Sequence, residues 1–151
     1  RARLARRPVR AELQDATAYT DGVGTLWYRA PELLKDTTAF EPSADVWALA
    51  VTLREFVCGK PTFPGANEQE VLDLMLPYYR HVPRPLAARL EARQLTIDPE
   101  KCSRRHLHSD LSNLQVHFKS LLDRGMYLEA SERDTCAEMV EDTNTWGLED
   151  I

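Results

Sequence analysis

Residues 102–117 contain four side chains of the types that coordinate zinc: Cys102, His106, His108 and His117. Structural zinc sites use four such ligands, which recur at short and characteristic spacings. The spacing here matches no established zinc pattern, and the arginines at 104–105 would repel a cation. We therefore expect an ordinary polar loop at this place and no metal site in the chain.

Helical periodicity and capping signals divide most of the chain into helices. The strongest prediction is a helix over residues 43–59, where Ser43 is a suitable N-cap and Gly59 followed by Pro61 supplies a stop. Its apolar residues run almost all round the helix, so we expect burial on most sides. Capping boxes and apolar spacing predict further helices near 67–76, 86–95, 111–122 and 135–141. Strand signals are weak, and the predicted fold is mainly α with little or no sheet.

Composition excludes several classes of protein. The net charge of −5 argues against a general nucleic-acid-binding protein, although the first ten residues carry five arginines and no acidic residue. No apolar run approaches the roughly 18 residues that a membrane span requires. Three widely spaced cysteines without a CxxC pair suit a reducing compartment. We expect an intracellular protein, cytoplasmic or nuclear, that binds neither nucleic acid nor membrane.

Four blocks of residues follow one another in the order and spacing of a known family. They are YTDGVGTLWYRAPELL at 19–34, SADVW at 43–47, FPG at 63–65 and LLDRGMYLEASERDTCAEMV at 121–140. Together they resemble the second half of a eukaryotic protein kinase domain, closest to the cyclin-dependent and splicing-associated (CMGC) group. The resemblance implies an incomplete large lobe of a protein-kinase-like fold. It divides the chain into an activation-loop remnant at 1–22, a partial large lobe at 23–141 and an acidic tail at 142–151.

The resemblance implies that the GTLWYRAPE stretch holds a peptide substrate beside the phosphate that is transferred. Thr25 is similar to the threonine that hydrogen-bonds the catalytic aspartate and lysine of serine/threonine kinases, which is a supporting role in catalysis. Gly24 occupies the position at which proline-directed members of the family have an unusual backbone conformation. Glycine adopts a positive φ at little cost, so it fits that conformation, and proline-directed substrate choice is a hypothesis. The substrate-binding residues implied are Gly24, Leu26, Trp27, Tyr28 and Arg29.

Other residues are implied to have structural roles. Glu32 and Arg133 are similar to the ion pair that ties this loop to the bottom of the large lobe. Asp45 resembles the aspartate that anchors the catalytic loop, and it also suits the positive end of its own helix. Trp47 belongs to the same block and is expected to be structural. The chain departs from the family at position 50, where alanine replaces the usual glycine, and at Gly125, an extra residue in the closing block.

A regulatory group is implied near the start of the chain. Thr20 is similar to the activating phosphothreonine of cyclin-dependent kinases, and Tyr19 precedes it. Arg6 lies in a Leu-Ala-Arg like the one that starts the family's activation loop, so it is a candidate partner for a phosphate. The alternative is that Thr20 is an exposed threonine without a regulatory role.

The alignment places Arg1-Ala2-Arg3 where the family has Asp-Phe-Gly, and the sequence contains no glycine-rich loop or His-Arg-Asp loop. An intact parent kinase would use ATP and Mg²⁺, which these residues are not expected to bind alone. We expect a fragment of a serine/threonine kinase, inactive by itself, that acts on protein substrates. The variable residues 77–117 are a candidate surface for a regulatory protein. The alternative is a degenerate pseudokinase that serves as a protein-binding scaffold.

Overall fold

A computed structural model describes residues 26–36, 41–103 and 116–145 of the chain. Its helices are α1 (Pro42–Cys58), α2 (Glu68–Met75), α3 (Arg84–Ala92), α4 (Val116–Gly125) and α5 (Cys136–Thr145). Short 3₁₀ turns lie at Leu26–Tyr28, Pro31–Leu33, Leu76–Tyr78, Pro99–Lys101 and Ala130–Glu132. These three ranges contain no strand, and the prediction of a mainly α fold is confirmed.

The ends of α1 show which local signals decided its length. The helix begins at Pro42 with Glu41 as N-cap, so Ser43 lies in the first turn and the prediction of Ser43 as N-cap is wrong. Proline suits the first helical position because its φ is fixed and its missing N–H would have no helical partner there. The predicted stop is present at Gly59, whose φ of 68° is in the left-handed region and whose N–H donates to the Glu55 carbonyl.

Helix α1 lies at the centre of the core but is buried on one side only. Trp47 is completely buried and stacks on Phe63, with ring centroids 6.1 Å apart. The other side exposes Leu49 by 45%, Phe56 by 86% and Val57 by 37%. Burial on most sides was therefore the wrong expectation for the described part of the chain, because α4 and the 3₁₀ turns pack against one face of α1.

We expect this exposed apolar face to bind a hydrophobic fluorescent dye. Replacing Phe56 with glutamate should weaken dye binding, because it removes the most exposed aromatic ring and adds a charge. Thr52→Glu is the matched control, since Thr52 is also exposed on α1 and the substitution adds the same charge. Equal dye fluorescence in the two variants would show that Phe56 does not contribute to the dye-binding surface.

Both predicted N-caps are present, but the return bond from the carboxylate reaches the N-cap N–H only at α5 and the preceding residue at α2. At α2 the Asn67 side chain accepts a bond from the Glu70 N–H at 3.0 Å, and the Glu70 carboxylate accepts one from the Ala66 N–H at 2.8 Å. At α5 the Thr135 hydroxyl accepts from the Glu138 N–H at 3.2 Å. The Glu138 carboxylate accepts in return from the Thr135 N–H at 2.7 Å and from its hydroxyl at 2.8 Å. These bonds satisfy N–H groups that have no partner within their helices.

The cap at α5 predicts an acid dependence of stability. The backbone N–H and then the hydroxyl of Thr135 lower the pKa of Glu138 below its ordinary value of 4.5, because both bond to the ionised carboxylate. The pKa is lower in the folded state, so the stabilisation is complete above the ordinary value and is lost as pH falls through the folded one. We expect Glu138→Gln to reduce this loss of melting temperature in acid. Glu141→Gln, which removes the same charge beyond the first turn of the same helix, is the control and should leave the loss of melting temperature in acid unchanged.

Candidate functional site

Residues 26–36, which we call the anchored segment, lie against α1, α2 and α3. Two short 3₁₀ turns follow one another here, with the Arg29 N–H donating to the Leu26 carbonyl at 3.2 Å and the Leu33 N–H to the Ala30 carbonyl at 2.9 Å. Ala30, Leu33 and the residue after it are buried in the core. The apolar residues of GTLWYRAPE therefore belong to a segment that is packed into the fold.

Three side chains expected to bind substrate form hydrogen bonds to other residues of the chain. Each donates to a residue of α1, of α2 or of the turn before α2, so each fixes the backbone of the anchored segment. The bonds are Trp27 Nε1 to the Gly65 carbonyl at 2.8 Å, Tyr28 Oη to Glu55 at 2.7 Å and Arg29 Nη1 to Glu68 at 2.7 Å. The bond to Glu55 also raises the pKa of Tyr28, because the carboxylate holds the phenolic proton.

The structure brings Glu32 and Arg133 together. Nη1 of Arg133 lies 2.6 Å from Oε1 of Glu32, and Nη2 lies 2.7 Å from Oε2. Both residues are buried, with 6% of Arg133 and 8% of Glu32 exposed. This parallel two-bond geometry is the strongest and most directional form of an arginine–carboxylate pair.

All five N–H groups of the Arg133 guanidinium have acceptors. Besides the two bonds to Glu32, Nε donates to the Tyr127 carbonyl at 2.7 Å, Nη1 to the Ser43 carbonyl at 3.0 Å and Nη2 to the Leu128 carbonyl at 3.2 Å. The guanidinium also lies 5.0 Å from the centre of the Trp47 ring. Arg133 thus joins the anchored segment, the start of α1 and the turn that follows α4.

Two further residues hold the anchored segment and were missed in the sequence. Glu68 accepts from the Lys35 N–H at 2.8 Å in addition to its bond from Arg29. Arg93, just after α3, donates through Nη1 to the Glu32 carbonyl at 2.6 Å and pairs through Nη2 with Asp36. Glu68 resembled an ordinary acidic residue in a first helical turn. No local sequence pattern indicated the role of Arg93, because the residues that it binds are about sixty positions away.

The remaining predicted site residues have different outcomes. Leu26 is half-buried against the core, and Asp45 is exposed in the first turn of α1, where its charge suits the helix N-terminus. The contact of Asp45 with a catalytic loop stays a prediction. Arg6, Tyr19, Thr20, Gly24 and Thr25 lie outside the described residues, and their roles also stay predictions.

The described residues hold neither a cluster of metal ligands nor a membrane-spanning helix. In the three described ranges, no three His, Cys, Asp or Glu side chains come together as a metal site would require. All three cysteines fall within these ranges, and none of them forms a disulfide bond. None of the helices of the described part is both long enough and apolar enough to cross a bilayer.

Comparison with known proteins adds independent findings. The family model described as protein kinase domain matches residues 9–144. Cyclin-dependent kinase C-3 of Oryza sativa subsp. japonica is 34% identical over 119 residues, which are 77% of this chain and 36% of that protein. Cyclin-dependent kinase-like 4 of Mus musculus is 33% identical over 131 residues, 82% of this chain and 37% of that protein.

A third relative is similar along still more of the chain. Mitogen-activated protein kinase 16 of Oryza sativa subsp. japonica is 31% identical over 137 residues, 88% of this chain and 27% of that protein. The chain thus spans between 27% and 37% of the length of these three relatives.

Proposed function

Because the chain belongs to the protein kinase domain family, with CMGC-type kinases among its relatives, we propose that it is the substrate-holding part of a serine/threonine kinase. The whole protein would transfer phosphate from ATP to serine or threonine hydroxyls of protein substrates. In this proposal residues 24–29 lie beside the substrate peptide, and Thr25 supports the catalytic aspartate and lysine. Proline-directed substrate choice, through the backbone at Gly24, is a further part of the proposal.

The observation that carries this proposal is the way in which the anchored segment is held. Its beginning is fixed by the bonds of Trp27, Tyr28 and Arg29, and its second half by the buried pair of Glu32 and Arg133. Transfer between two bound molecules gains most when the reacting groups are held in a fixed geometry, and a displacement of 1 Å can cost about 100-fold in rate. A segment fixed by partly buried bonds at its beginning and by a buried ion pair in its second half meets that requirement.

The ATP and Mg²⁺ of an intact family member need groups of a different kind. Phosphoryl transfer relies on Mg²⁺ held by carboxylate and amide oxygens beside the nucleotide phosphates. In the described ranges no three His, Cys, Asp or Glu side chains come together to hold a metal ion. We propose that the groups for ATP and Mg²⁺ belong to the rest of the whole protein, and that these 151 residues do not transfer phosphate alone.

The proposal also includes how the kinase is regulated and where in the cell it is located. Phosphate on Thr20, beside Tyr19, would be held by Arg6, since a doubly charged group orders a loop through arginine. A regulatory protein would bind at residues 77–117, where the match to the family is loose. We propose an intracellular location, cytoplasmic or nuclear, which three cysteines without a disulfide bond support.

The test is to sequence the complete transcript and assay its product. In-frame His-Arg-Asp and Asp-Phe-Gly motifs upstream, with ATP-dependent phosphorylation of serine and threonine on peptide arrays, would support the proposal. A variant without the catalytic aspartate is the control and should be inactive. A complete transcript without either motif would overturn the kinase proposal in favour of the scaffold. Absence of enrichment for Ser-Pro and Thr-Pro sites would overturn the proline-directed part alone.

A further inference from the structure

We propose that Arg93 is a positioning residue that ties the anchored segment to α3. This inference rests on the proposed function, because it assumes that the anchored segment holds the substrate. Arg93 follows α3 directly and is half-buried. Its guanidinium reaches two carbonyls and one carboxylate of the anchored segment, whereas Glu32 and Arg133 fix the same segment from its other side.

The carbonyls of the second 3₁₀ turn show why Arg93 is needed there. The carbonyls of Ala30, Pro31 and Leu33 accept bonds from backbone N–H groups three residues later. Those of Glu32 and Leu34 accept instead from Nη1 of Arg93, at 2.6 and 3.2 Å. A cation at this end of a helical turn satisfies carbonyls that have no partner within the turn and complements their partial negative charge. Arg93 therefore completes the hydrogen bonding of the carbonyls of residues 30–34.

The peptide unit between Leu34 and Lys35 is hydrogen-bonded on both sides. Lys35 has a φ of 55°, which is uncommon for a residue with a side chain and persists only where the surroundings fix it. The N–H of this peptide unit donates to Glu68 at 2.8 Å, and its carbonyl, that of Leu34, accepts from Arg93 at 3.2 Å. The two side chains come from α2 and from the end of α3. Their positions therefore determine the orientation of the 34–35 peptide.

Arg93 can transmit the position of α3 because its own turn is fixed. Leu95 is buried and its N–H donates to the Leu90 carbonyl at 3.0 Å. The Gln69 side chain of α2 donates to the Thr96 carbonyl and accepts from the Thr96 N–H, both at 2.8 Å. Any displacement of α3 must therefore move the guanidinium of Arg93 and with it the carbonyls that it binds. Since α3 lies within residues 77–117, a protein bound there would act on the anchored segment through this contact.

Hydrogen exchange of the 151-residue chain tests whether Arg93 holds the segment. We expect Arg93→Gln to speed exchange of the Leu33, Leu34 and Asp36 amides about tenfold or more, since bonds to a charged donor are lost. The Met126 amide, which donates to the Leu122 carbonyl, reports on the core and should exchange at the unchanged rate. Faster exchange confined to the segment supports the inference. Unchanged exchange at all three amides overturns it.

Two variants separate positioning from a general loss of structure. Arg89→Gln is the matched control, because Arg89 lies on α3 and makes an exposed ion pair with Glu129, with N and O 3.4 Å apart. It should leave exchange in the segment unchanged, and an equal effect of both variants overturns the inference. Arg93→Lys keeps the charge but not the planar fork that reaches three acceptors, so it should give intermediate rates. If Arg93→Gln does not fold, amide exchange is measured in Arg93→Lys instead.

Kinetics of the full-length protein test the link to substrate. Arg93→Gln should lower kcat/KM for a phosphorylatable peptide about tenfold while KM for ATP stays unchanged, and Arg93→Lys should recover part of the loss. Loosened exchange with an unchanged kcat/KM for the peptide overturns the positioning role, although the kinase activity stands. If the unchanged full-length protein transfers no phosphate, the proposed function fails and the positioning role fails with it. The exchange result then still shows whether Arg93 holds the segment.

Discussion

Replacing Arg133 with methionine should lower the free energy of unfolding by about 3–5 kcal/mol, because it leaves the buried carboxylate of Glu32 without its partner. Domains of this size are stable by only about 5–15 kcal/mol, so the loss is a large part of the total. Three backbone carbonyls lose their donor in the same substitution. Urea denaturation followed by tryptophan fluorescence measures the change.

A second substitution separates the stranded charge from the rest of the effect. Glu32→Leu combined with Arg133→Met removes the buried carboxylate as well, and whole buried ion pairs are often replaced by apolar residues at little cost. We expect the double variant to be more stable than Arg133→Met alone but less stable than the unchanged protein. The reason is that the carbonyls of Ser43, Tyr127 and Leu128 still lack the guanidinium.

The control for Arg133→Met is the same substitution at an exposed arginine. Arg89→Met removes the same kind of side chain from a pair in which Arg89 is 45% exposed, and such pairs contribute about 0–1 kcal/mol. Similar losses for the two arginines would contradict the assignment of Arg133 as the buried anchor. A double variant less stable than Arg133→Met would contradict the stranded-charge explanation.

We expect Gly125→Ala to destabilise the protein by about 1–3 kcal/mol, because α4 approaches α1 too closely at this point for a methyl group. A Cβ at Gly125 would lie 2.7 Å from the Cβ of Ala50 and 3.6 Å from the Val46 carbonyl oxygen. Alanine has the better helix propensity by about 1 kcal/mol, which offsets only part of the clash. The free energy of unfolding of the variant gives the net effect.

The reciprocal exchange tests whether the two positions compensate for each other. Ala50→Gly with Gly125→Ala moves the methyl group from α1 to α4 and should be more stable than Gly125→Ala alone, so the effects should not add. Both family departures, alanine at 50 and the extra glycine at 125, would then be one change in the packing of α1 against α4. Simple additivity in the double variant would contradict that explanation.

Signals that act over a few residues were predictable from the sequence. The N-caps at Asn67 and Thr135 and the stop at Gly59 are present because a cap bonds to atoms two to four residues away. Even so, the start of α1 moved to Pro42, where proline at the first helical position prevailed over serine as N-cap. The contact of Glu32 with Arg133 came from the family resemblance and not from any local pattern.

By itself the sequence determined the helical class of the fold, the family blocks and the local signals that start α2 and α5 and end α1, because these depend on neighbours along the chain. Only the tertiary structure decided which face of α1 is exposed, how Ala50 meets Gly125 and that Arg93 holds the anchored segment. Such contacts join residues that are tens of positions apart, so they depend on how the helices pack together. A single arginine after a helix, or a single glycine at the end of one, gives no sign of its partner until the chain is folded.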